Sequence, residues 1–314
     1  MNKINADFYK YFSLFIQGII VFYVFTSIFE KGDLTLIANS ILFYTAISFF
    51  IGIVQFNTGV SEEYQVVSSS GLEFYSRPIP NGFDPNYYYL NIIFPIVYLQ
   101  SGKKHNKNVI TKIIFWALSV LFFINALFTG SKSALIITAG VYLYYTLITF
   151  RAFLINLLTI AIIIVFILPV LGDFISFSFI RYQTFLSGDI ESITTGRNIL
   201  WKESFEIFLE NPVFGLGLGQ VVTLFSSQSL NVSMGGATTH NTIIHALAET
   251  GVLGFSLWAS PVFLELKKSF RAKSFTFVLI VATLSMMLSI DAGYYKTFFL
   301  YLGLSYILND EKNY

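Results

Sequence analysis

Repeated apolar runs are the feature of this sequence that most restricts its fold. Segments with few charged residues recur along the 314-residue chain, at 11–29, 35–54, 86–100, 113–129, 134–150, 152–172, 246–266, 275–292 and 296–308. Most of them approach the length that a helix needs to cross a hydrocarbon core of about 30 Å. Because lipid offers the backbone no hydrogen-bonding partners, each span should be helical. The sequence therefore predicts an all-α, polytopic transmembrane helical bundle of about nine spans.

Composition supports the membrane class and excludes several kinds of chemistry. Only 12% of the residues are charged and 55% are hydrophobic, whereas about a quarter of the residues of a soluble domain are charged. The chain has no cysteine, which excludes disulfides, thiolate catalysis and cysteine-ligated metal centres. A net charge of +1 without a long basic run predicts no nucleic-acid partner. The first apolar run lacks a small-residue cleavage site, so we interpret it as a retained span.

The distribution of lysine and arginine predicts the orientation of the bundle. Basic residues concentrate in the connections 101–112 and 267–273, and Arg151 lies in a third connection on the same side. We assign this side to the cytoplasm, together with the C-terminus. The outer face then receives the loop 55–85, the turn 129–133, the segment 173–240 and the turn around Tyr294. We expect residues 1–314 to form a single integral-membrane domain that contains 173–240 as one long external loop.

The external loop 173–240 is much longer than a connection requires, and loops of this length are commonly functional or disordered. A helix is predicted to begin near Gly196, where a preceding threonine can cap it. Leu200, Ser204, Ile207 and Phe208 then share one face at helical spacing. The Asn211-Pro212 pair ends the helix. We expect this amphipathic helix to lie at the outer membrane surface.

Two of the three histidines lie together near the start of the seventh apolar segment. His240 and His245 are five residues apart, so on a helix they would diverge by roughly 140° and would not form a zinc pair. His245 is most simply a buried, hydrogen-bonded helix residue. His240 lies where loop becomes helix, and its imidazole suits proton transfer in a water-accessible site.

Two carboxylates fall inside or at the end of apolar segments. Glu249 lies about one turn inside the seventh segment, and an ionisable group at that depth requires a partner. This indicates either a functional role or a structural hydrogen bond to the backbone of a loop. Asp291 has the same two interpretations, and Lys296 is its candidate partner.

The predicted outer face carries few cations, and arginine is the usual residue for binding phosphate with two parallel hydrogen bonds. Each one alone could be a solvated or snorkelling charge; the set is Arg77, Lys132, Arg181, Arg197, Lys202 and Lys296. The "GLGLG" stretch at 215–219 lacks the Lys-Ser/Thr of a nucleotide loop and predicts a flexible or tightly turned backbone near the membrane. The chain also contains no Asp-x-Asp sequence, which argues against a metal-dependent enzyme that uses nucleotide sugars.

Several of these stretches, taken in order, resemble the signature of the O-antigen polymerase and O-antigen ligase superfamily. The resemblance is carried by "TGRNILWKESFEIFLENPVFGLGLGQ" and by "THNTIIHALAETGVLG". "RPIPNGFDPNYYYL" and "FTGSKSAL" resemble upstream elements of the same family. Lys132 stands where the family often has arginine. Together the matches cover about residues 77–254.

The resemblance implies a glycosyltransferase that acts at the outer face of a bacterial plasma membrane. It implies polymerisation of oligosaccharide repeat units carried on undecaprenyl diphosphate, as in the synthesis of O-antigen lipopolysaccharide, capsule or exopolysaccharide. Catalytic roles fall on His240 and Arg197, and substrate-binding roles on Arg77, Arg181, Lys132, Asn241 and Glu249. The expected partners are the undecaprenyl-diphosphate-linked glycan, membrane lipid, a chain-length regulator and a flippase. Neither a metal nor another cofactor is expected.

Three other functions are compatible with parts of this pattern. An O-antigen ligase would use the same donor and transfer the glycan to a lipid core or a protein. A transporter of lipid-linked glycan would concentrate polar groups near the membrane midplane, whereas the polar motifs here cluster outside the predicted spans. A structural scaffold would leave the ordered set of motifs unexplained.

Overall fold

The computed structural model of the chain describes residues 6–57, 61–68, 71–78, 84–101, 109–148, 197–227 and 238–309, together with five isolated positions between 154 and 165. Helices dominate these residues. They are α1 (Ala6–Ile28), α2 (Leu34–Asn57), α3 (Pro85–Gln100), α4 (Val109–Phe128), α5 (Lys132–Ile148), α6 (Arg197–Glu210), α7 (Gln220–Ser227), α8 (Thr242–Arg271), α9 (Phe275–Met287) and α10 (Lys296–Asn309). A short 3-10 helix, Lys31–Asp33, precedes α2.

The helical membrane class is confirmed within the described residues. The helices long and apolar enough to cross a membrane cover Phe8–Ile28, Lys31–Gln55 and Thr242–Arg271. Shorter apolar helices cover Ile113–Leu127, Lys132–Ile148 and Phe275–Met287. Apart from 152–172, which lies almost entirely outside the described residues, every predicted apolar segment coincides with a helix. The full count of nine spans stays a prediction.

One element of the fold was not predicted. The connection 55–85 contains an antiparallel hairpin of β1 (Ser61–Ser68) and β2 (Gly71–Pro78), in which Ser68 pairs with Gly71 and Ser61 with Pro78. The stretch "SEEYQVVSSSGLEFYSRP" does carry the sequence pattern of a hairpin, because β-branched and aromatic residues flank a Ser-Gly turn. The all-α prediction is therefore correct for the bundle and incomplete for this connection.

The chain divides into two compact units: one is formed by residues 1–32 and 184–314, and the other by residues 33–183. In the second unit, α3 packs against α2, α4 and α5. Its interior contains hydrogen-bonded polar pairs: Asn125 donates to the Tyr88 hydroxyl at 3.0 Å, and the Tyr89 hydroxyl lies 2.7 Å from Thr138 Oγ1. Such pairs satisfy the polar groups that a membrane helix buries.

The first unit contains α1 and α6–α10. Helix α1 packs on α10, α6 packs on α8, and α8 also contacts α9 and α10. The predicted buried face of α6 is confirmed, because Leu200, Ser204 and Ile207 are buried and Phe208 packs beside them. The buried face joins Val221 and Phe225 of α7 and Ala248 of α8 in one apolar cluster. The face that was predicted to lie on a membrane surface thus packs against protein.

Candidate active site

The start of α8 holds the predicted histidine motif in a tightly determined turn. The Asn241 side-chain oxygen caps the helix by accepting from the N–H groups of Ile243 and Ile244 at 3.1 and 3.2 Å. His240, just before the cap, is half-buried and has a φ of 51°. A left-handed backbone is costly for a residue with a Cβ and is retained only where the surroundings determine it.

His245 lies at the centre of a buried polar cluster, which confirms that it is a buried, hydrogen-bonded helix residue. Its Nδ1 lies 3.0 Å from Thr239 Oγ1, which in turn lies 2.9 Å from Ser204 Oγ of α6. Its Nε2 lies 3.3 Å from Glu249 Oε2 and 3.2 Å from Asp291 Oδ2. The Tyr294 hydroxyl donates to Glu249 Oε2 at 2.8 Å. Four segments of the first unit therefore meet around one imidazole.

Asp291, for which Lys296 was a candidate partner, contacts the buried histidine. Its carboxylate approaches the His245 ring, and Lys296 at the start of α10 is exposed. Burial accounts for this contact. Asp291 lies in a buried turn between α9 and α10, and His245 is already buried beside it. Pairing with a solvated ammonium would instead require the desolvation of that ammonium. Among the described residues, no group of three or more histidine, cysteine, aspartate or glutamate side chains is arranged to hold a metal ion.

The buried turn between α9 and α10 is held by hydrogen bonds from α6 and α8. Arg197, the first residue of α6, donates from Nη1 to the Ser289 carbonyl at 2.7 Å. Thr242 of α8 donates to the Ile290 carbonyl at 2.8 Å and accepts from the Ala292 N–H at 2.9 Å. Trp258 donates to the Gly293 carbonyl at 3.4 Å. The turn therefore fixes Arg197, the capped end of α8 and Asp291 in one region.

Helix α8 is interrupted at Gly251, two residues after Glu249 of the polar cluster. Gly251 has φ 62° and ψ −171°, so the backbone leaves the helical conformation there. The loop after α6 satisfies the exposed backbone groups: Leu216 and Gly217 N–H donate to the carbonyls of Ala248 and Glu249 at 2.8 and 2.9 Å. On the other side of the break, Val252 N–H donates to the Pro212 carbonyl at 2.9 Å. Broken membrane helices are tolerated where protein supplies such partners.

The glycines of the "GLGLG" stretch allow this close approach, and the predicted tight turn is confirmed. Gly215, Gly217 and Gly219 have φ values of 70°, 111° and 74°. A Cβ on Gly215 would overlap the backbone of Glu249 and Thr250, and a Cβ on Gly251 would overlap the backbone of Val213 and Phe214. The two backbones thus touch directly, which only glycine permits.

A cavity of about 230 Å³ opens beside the cluster, within the first unit. One face of α8 forms its longest wall, through residues spaced as neighbours on a helix: Thr242, His245, Ala246, Thr250, Gly254, Leu257 and Trp258. Phe15 of α1, Leu218 and the turn residues Asp291, Gly293 and Tyr294 complete the lining. The cavity is therefore apolar along most of its length and polar near His245 and Asp291.

The structure brings together part of the predicted set of site residues. Arg197 and Glu249 both bind the turn 289–294, and Asn241 and His240 lie at the adjoining end of α8. Asn241 uses its side-chain oxygen as a helix cap, so a substrate-binding role for it stays a prediction. The catalytic roles of His240 and Arg197 also stay predictions.

The other cations that were predicted to bind substrate lie in the second unit or have side chains outside the described residues. Lys132 is half-buried at the first position of α5, and Arg77 lies in β2, opposite Glu62 in the strand register. The Arg77 side chain and all of Arg181 fall outside the described residues. A phosphate site that Arg77, Lys132 or Arg181 shares with Arg197 therefore stays a prediction.

Sequence reasoning missed the association of His245 with Asp291 and Tyr294. Two signals pointed to it: Asp291 is an ionisable residue at the end of an apolar segment, and it is followed by Ala-Gly-Tyr-Tyr, where a helix is unlikely to continue. The partner could not be read from the sequence, because residues 245 and 291 meet only through the packing of α8 against the turn.

Comparison with known proteins agrees with this arrangement. No curated protein matches the chain. Residues 117–259 match the protein family described as O-antigen ligase. The matched segment includes α5, α6, α7, the "GLGLG" turn, the His240-Asn241 cap and the break in α8. The resemblance predicted from the sequence is thereby confirmed: residues 117–259 are similar to the O-antigen ligase family.

Proposed function

We propose that this protein is a membrane glycosyltransferase that polymerises oligosaccharide repeat units carried on undecaprenyl diphosphate, at the outer face of the bacterial plasma membrane. One observation carries the proposal: Arg197, the His240-bearing cap of α8 and the Asp291 turn converge in the first unit, at the start of the membrane helix α8. Transfer from a lipid diphosphate requires a cation and a proton-accepting group.

The transfer has two demands that these residues can meet. The oxygen of the acceptor hydroxyl attacks the anomeric carbon of the donor sugar, and the bond from that carbon to the diphosphate oxygen breaks. The departing diphosphate takes the bonding electrons, and Arg197 stabilises its growing negative charge. His240 takes the proton of the attacking hydroxyl. Arg77, Lys132 and Arg181 are proposed to contribute further contacts to the diphosphate or the glycan.

A second candidate is favoured by the description of the matched family. An O-antigen ligase uses the same donor and passes the finished glycan to a lipid core or a protein. Both reactions require the same charge stabilisation and the same base, so the residues of the site support them equally.

Turnover of an undecaprenyl-diphosphate glycan by the purified protein in nanodiscs tests the transferase function. Products longer than one repeat unit on the lipid carrier support the polymerase. Deletion of the gene followed by glycan gel analysis separates the candidates: single-repeat glycan on its final acceptor indicates a polymerase, and accumulated long lipid-linked glycan indicates a ligase. Absence of turnover with either acceptor would contradict both.

A further inference from the structure

The cavity along α8 has two chemically different regions. Phe15, Leu218, Leu257 and Trp258 give it apolar walls, and Trp258 is held in place by stacking on Phe298 with ring centroids 5.5 Å apart. The lining residues of α8 run from Thr242 to Trp258, on both sides of the break at Gly251. An elongated apolar group fits this wall.

The polar end offers hydrogen-bond acceptors and has neither lysine nor arginine. His245 and Asp291 face the cavity, and Glu249 lies directly against His245. In the described part of the chain, Glu249 Oε1 is buried with no hydrogen-bond partner, and His245 Nε2 contacts its carboxylates without forming a hydrogen bond. An unsatisfied buried acceptor favours a ligand that donates.

The charges of the lining argue against an anionic ligand end. The lining includes three aromatic residues, Phe15, Trp258 and Tyr294, and one carboxylate, that of Asp291. It includes neither lysine nor arginine. A phosphate placed there would meet the carboxylates of Asp291 and Glu249 in a region of low dielectric, where like charges repel strongly. A hydroxyl carries no such cost and supplies the missing donor.

From this geometry we infer that the cavity binds an uncharged amphiphile: its apolar chain lies along α8 against Trp258, and its hydroxyl-bearing end donates to the carboxylates beside His245. The site is distinct in chemistry from the diphosphate site proposed around Arg197. This binding goes beyond the proposed function and does not rest on it. The binding itself requires no transfer chemistry.

Trp258 reports on the occupancy of the cavity. The chain has three tryptophans, and the buried Nε1 atoms of Trp116 and Trp201 have no hydrogen-bond partner among the described residues. Replacing both with phenylalanine therefore removes no such bond and leaves Trp258 as the single fluorophore. The probes are an alkyl glucoside and an alkyl phosphate with the same bromine-labelled chain, added to the protein in nanodiscs of uncharged lipid.

We expect the brominated glucoside to quench Trp258 saturably and the brominated phosphate to need a concentration about 10-fold higher or more. Ala246→Leu, which fills the cavity from α8, should weaken glucoside binding by roughly 10-fold. The matched control, Ala139→Leu, adds the same group at an exposed position of α5 and should bind like the parent.

Equal quenching by the two probes, or quenching that rises without saturation, would overturn the inference, because both describe partition into the bilayer. The comparison of the two probes on the parent protein holds even if Ala246→Leu fails to fold. Saturable glucoside binding with no glycan turnover would contradict the proposed function alone. Turnover without selective glucoside binding would contradict the cavity assignment alone.

Discussion

At the scale of the residue, His240 combines a strained backbone with a firmly held environment. Its φ of 51° is one of two positive values among the described non-glycine residues. Such a conformation costs about 1–2 kcal/mol. Thr239 on one side is fixed by Ser204 and His245, and Asn241 on the other side caps α8. The neighbours thus hold the backbone of His240, the residue that we propose transfers a proton.

The first prediction concerns the two proposed catalytic residues. His240→Ala should lower turnover of the lipid-linked glycan by about 10²- to 10⁴-fold, because a positioned base contributes that much. Arg197→Ala should lower it by about 10²- to 10³-fold. Arg197→Lys should restore little, since the ammonium lacks the planar, bidentate geometry of the guanidinium. The measurement is initial rate with purified protein at saturating donor.

Two variants serve as controls for these rates. His105→Ala changes the third histidine, which lies in the predicted cytoplasmic connection. Lys202→Ala removes an exposed cation that lies 3.9 Å from Glu206, an ion pair of the kind that contributes little. Both should keep the parent rate. If His240→Ala also keeps it, the assignment of the base is wrong.

A second prediction concerns His245, whose removal leaves two buried carboxylates without their shared imidazole. Breaking a buried ion pair from one side typically costs about 3–5 kcal/mol, so His245→Ala should lower the thermal unfolding midpoint markedly. Adding Asp291→Asn should recover part of the loss, because one of the two carboxylates is then removed. Thermal unfolding in detergent measures both. Equal midpoints for the single and double variants would show that the cluster does not act as a charged unit.

At the scale of the element, α8 functions as two half-helices joined through the "GLGLG" loop. The loop after α6 donates to the carbonyls of Ala248 and Glu249 and accepts from the N–H groups of Val252 and Leu253. These four backbone groups are therefore satisfied although α8 is broken at Gly251. Because Glu249 lies just before the break, its carbonyl binds Gly217 while its carboxylate binds Tyr294. The interruption therefore connects the loop after α6 to the buried cluster.

The third prediction tests this junction with three glycines. Gly251→Ala and Gly215→Ala each place a Cβ against backbone atoms at a positive φ, so both should destabilise the protein strongly or prevent its accumulation. Gly140→Ala in α5 is the matched control, because a Cβ there meets nothing within 4 Å. That control should be neutral or stabilise the helix by up to about 1 kcal/mol. Unfolding midpoints near the parent value for the first two variants would contradict the described junction.

The sequence predicted elements better than it predicted their partners. Periodicity located α6 and its buried residues, and Asn211-Pro212 marked its end, because these features are local. Glycine content predicted the turn at 215–219. The turn at 215–219 contacts α8, and Asp291 contacts His245. Both contacts join residues that are distant in the sequence, so no local sequence pattern predicts either of them. The hairpin at 61–78 did have a local signal, which a search for apolar spans overlooked.

At the scale of the whole molecule, the apolar composition predicts helices in a membrane but not the place of the chemistry. The functional motifs lie in connections and at helix ends, where polar groups can be hydrogen-bonded without a cost in lipid. The first unit collects Arg197, His240, Glu249 and Asp291 from segments separated by up to 94 positions in the sequence, from 197 to 291. The orientation of these motifs across the membrane is therefore the property on which the proposed function depends most.

The fourth prediction concerns cofactors of the complete enzyme. We expect a chelator to leave turnover unchanged and added divalent metal to have no effect. The proposed charge stabilisation comes from arginine, and the sequence has neither cysteine nor an Asp-x-Asp motif. The assay is the same glycan turnover, measured before and after chelation. Loss of activity on chelation, with recovery on adding metal, would show that the metal-free mechanism is wrong.

The last prediction concerns topology, and the absence of native cysteine makes it directly testable. Single cysteines at Asn81 and Gln228 should react with a membrane-impermeant maleimide in intact spheroplasts, because both positions lie in the predicted external connections. Cysteines at Lys107 and Lys267 should react only after the membrane is permeabilised, because lysine-rich connections are retained in the cytoplasm. The donor glycan and the motif-bearing loop must lie on one side for transfer to occur. An inverted pattern at these four positions would place them on opposite sides and would exclude the proposed mechanism, whatever the activities of the His240 and Arg197 variants.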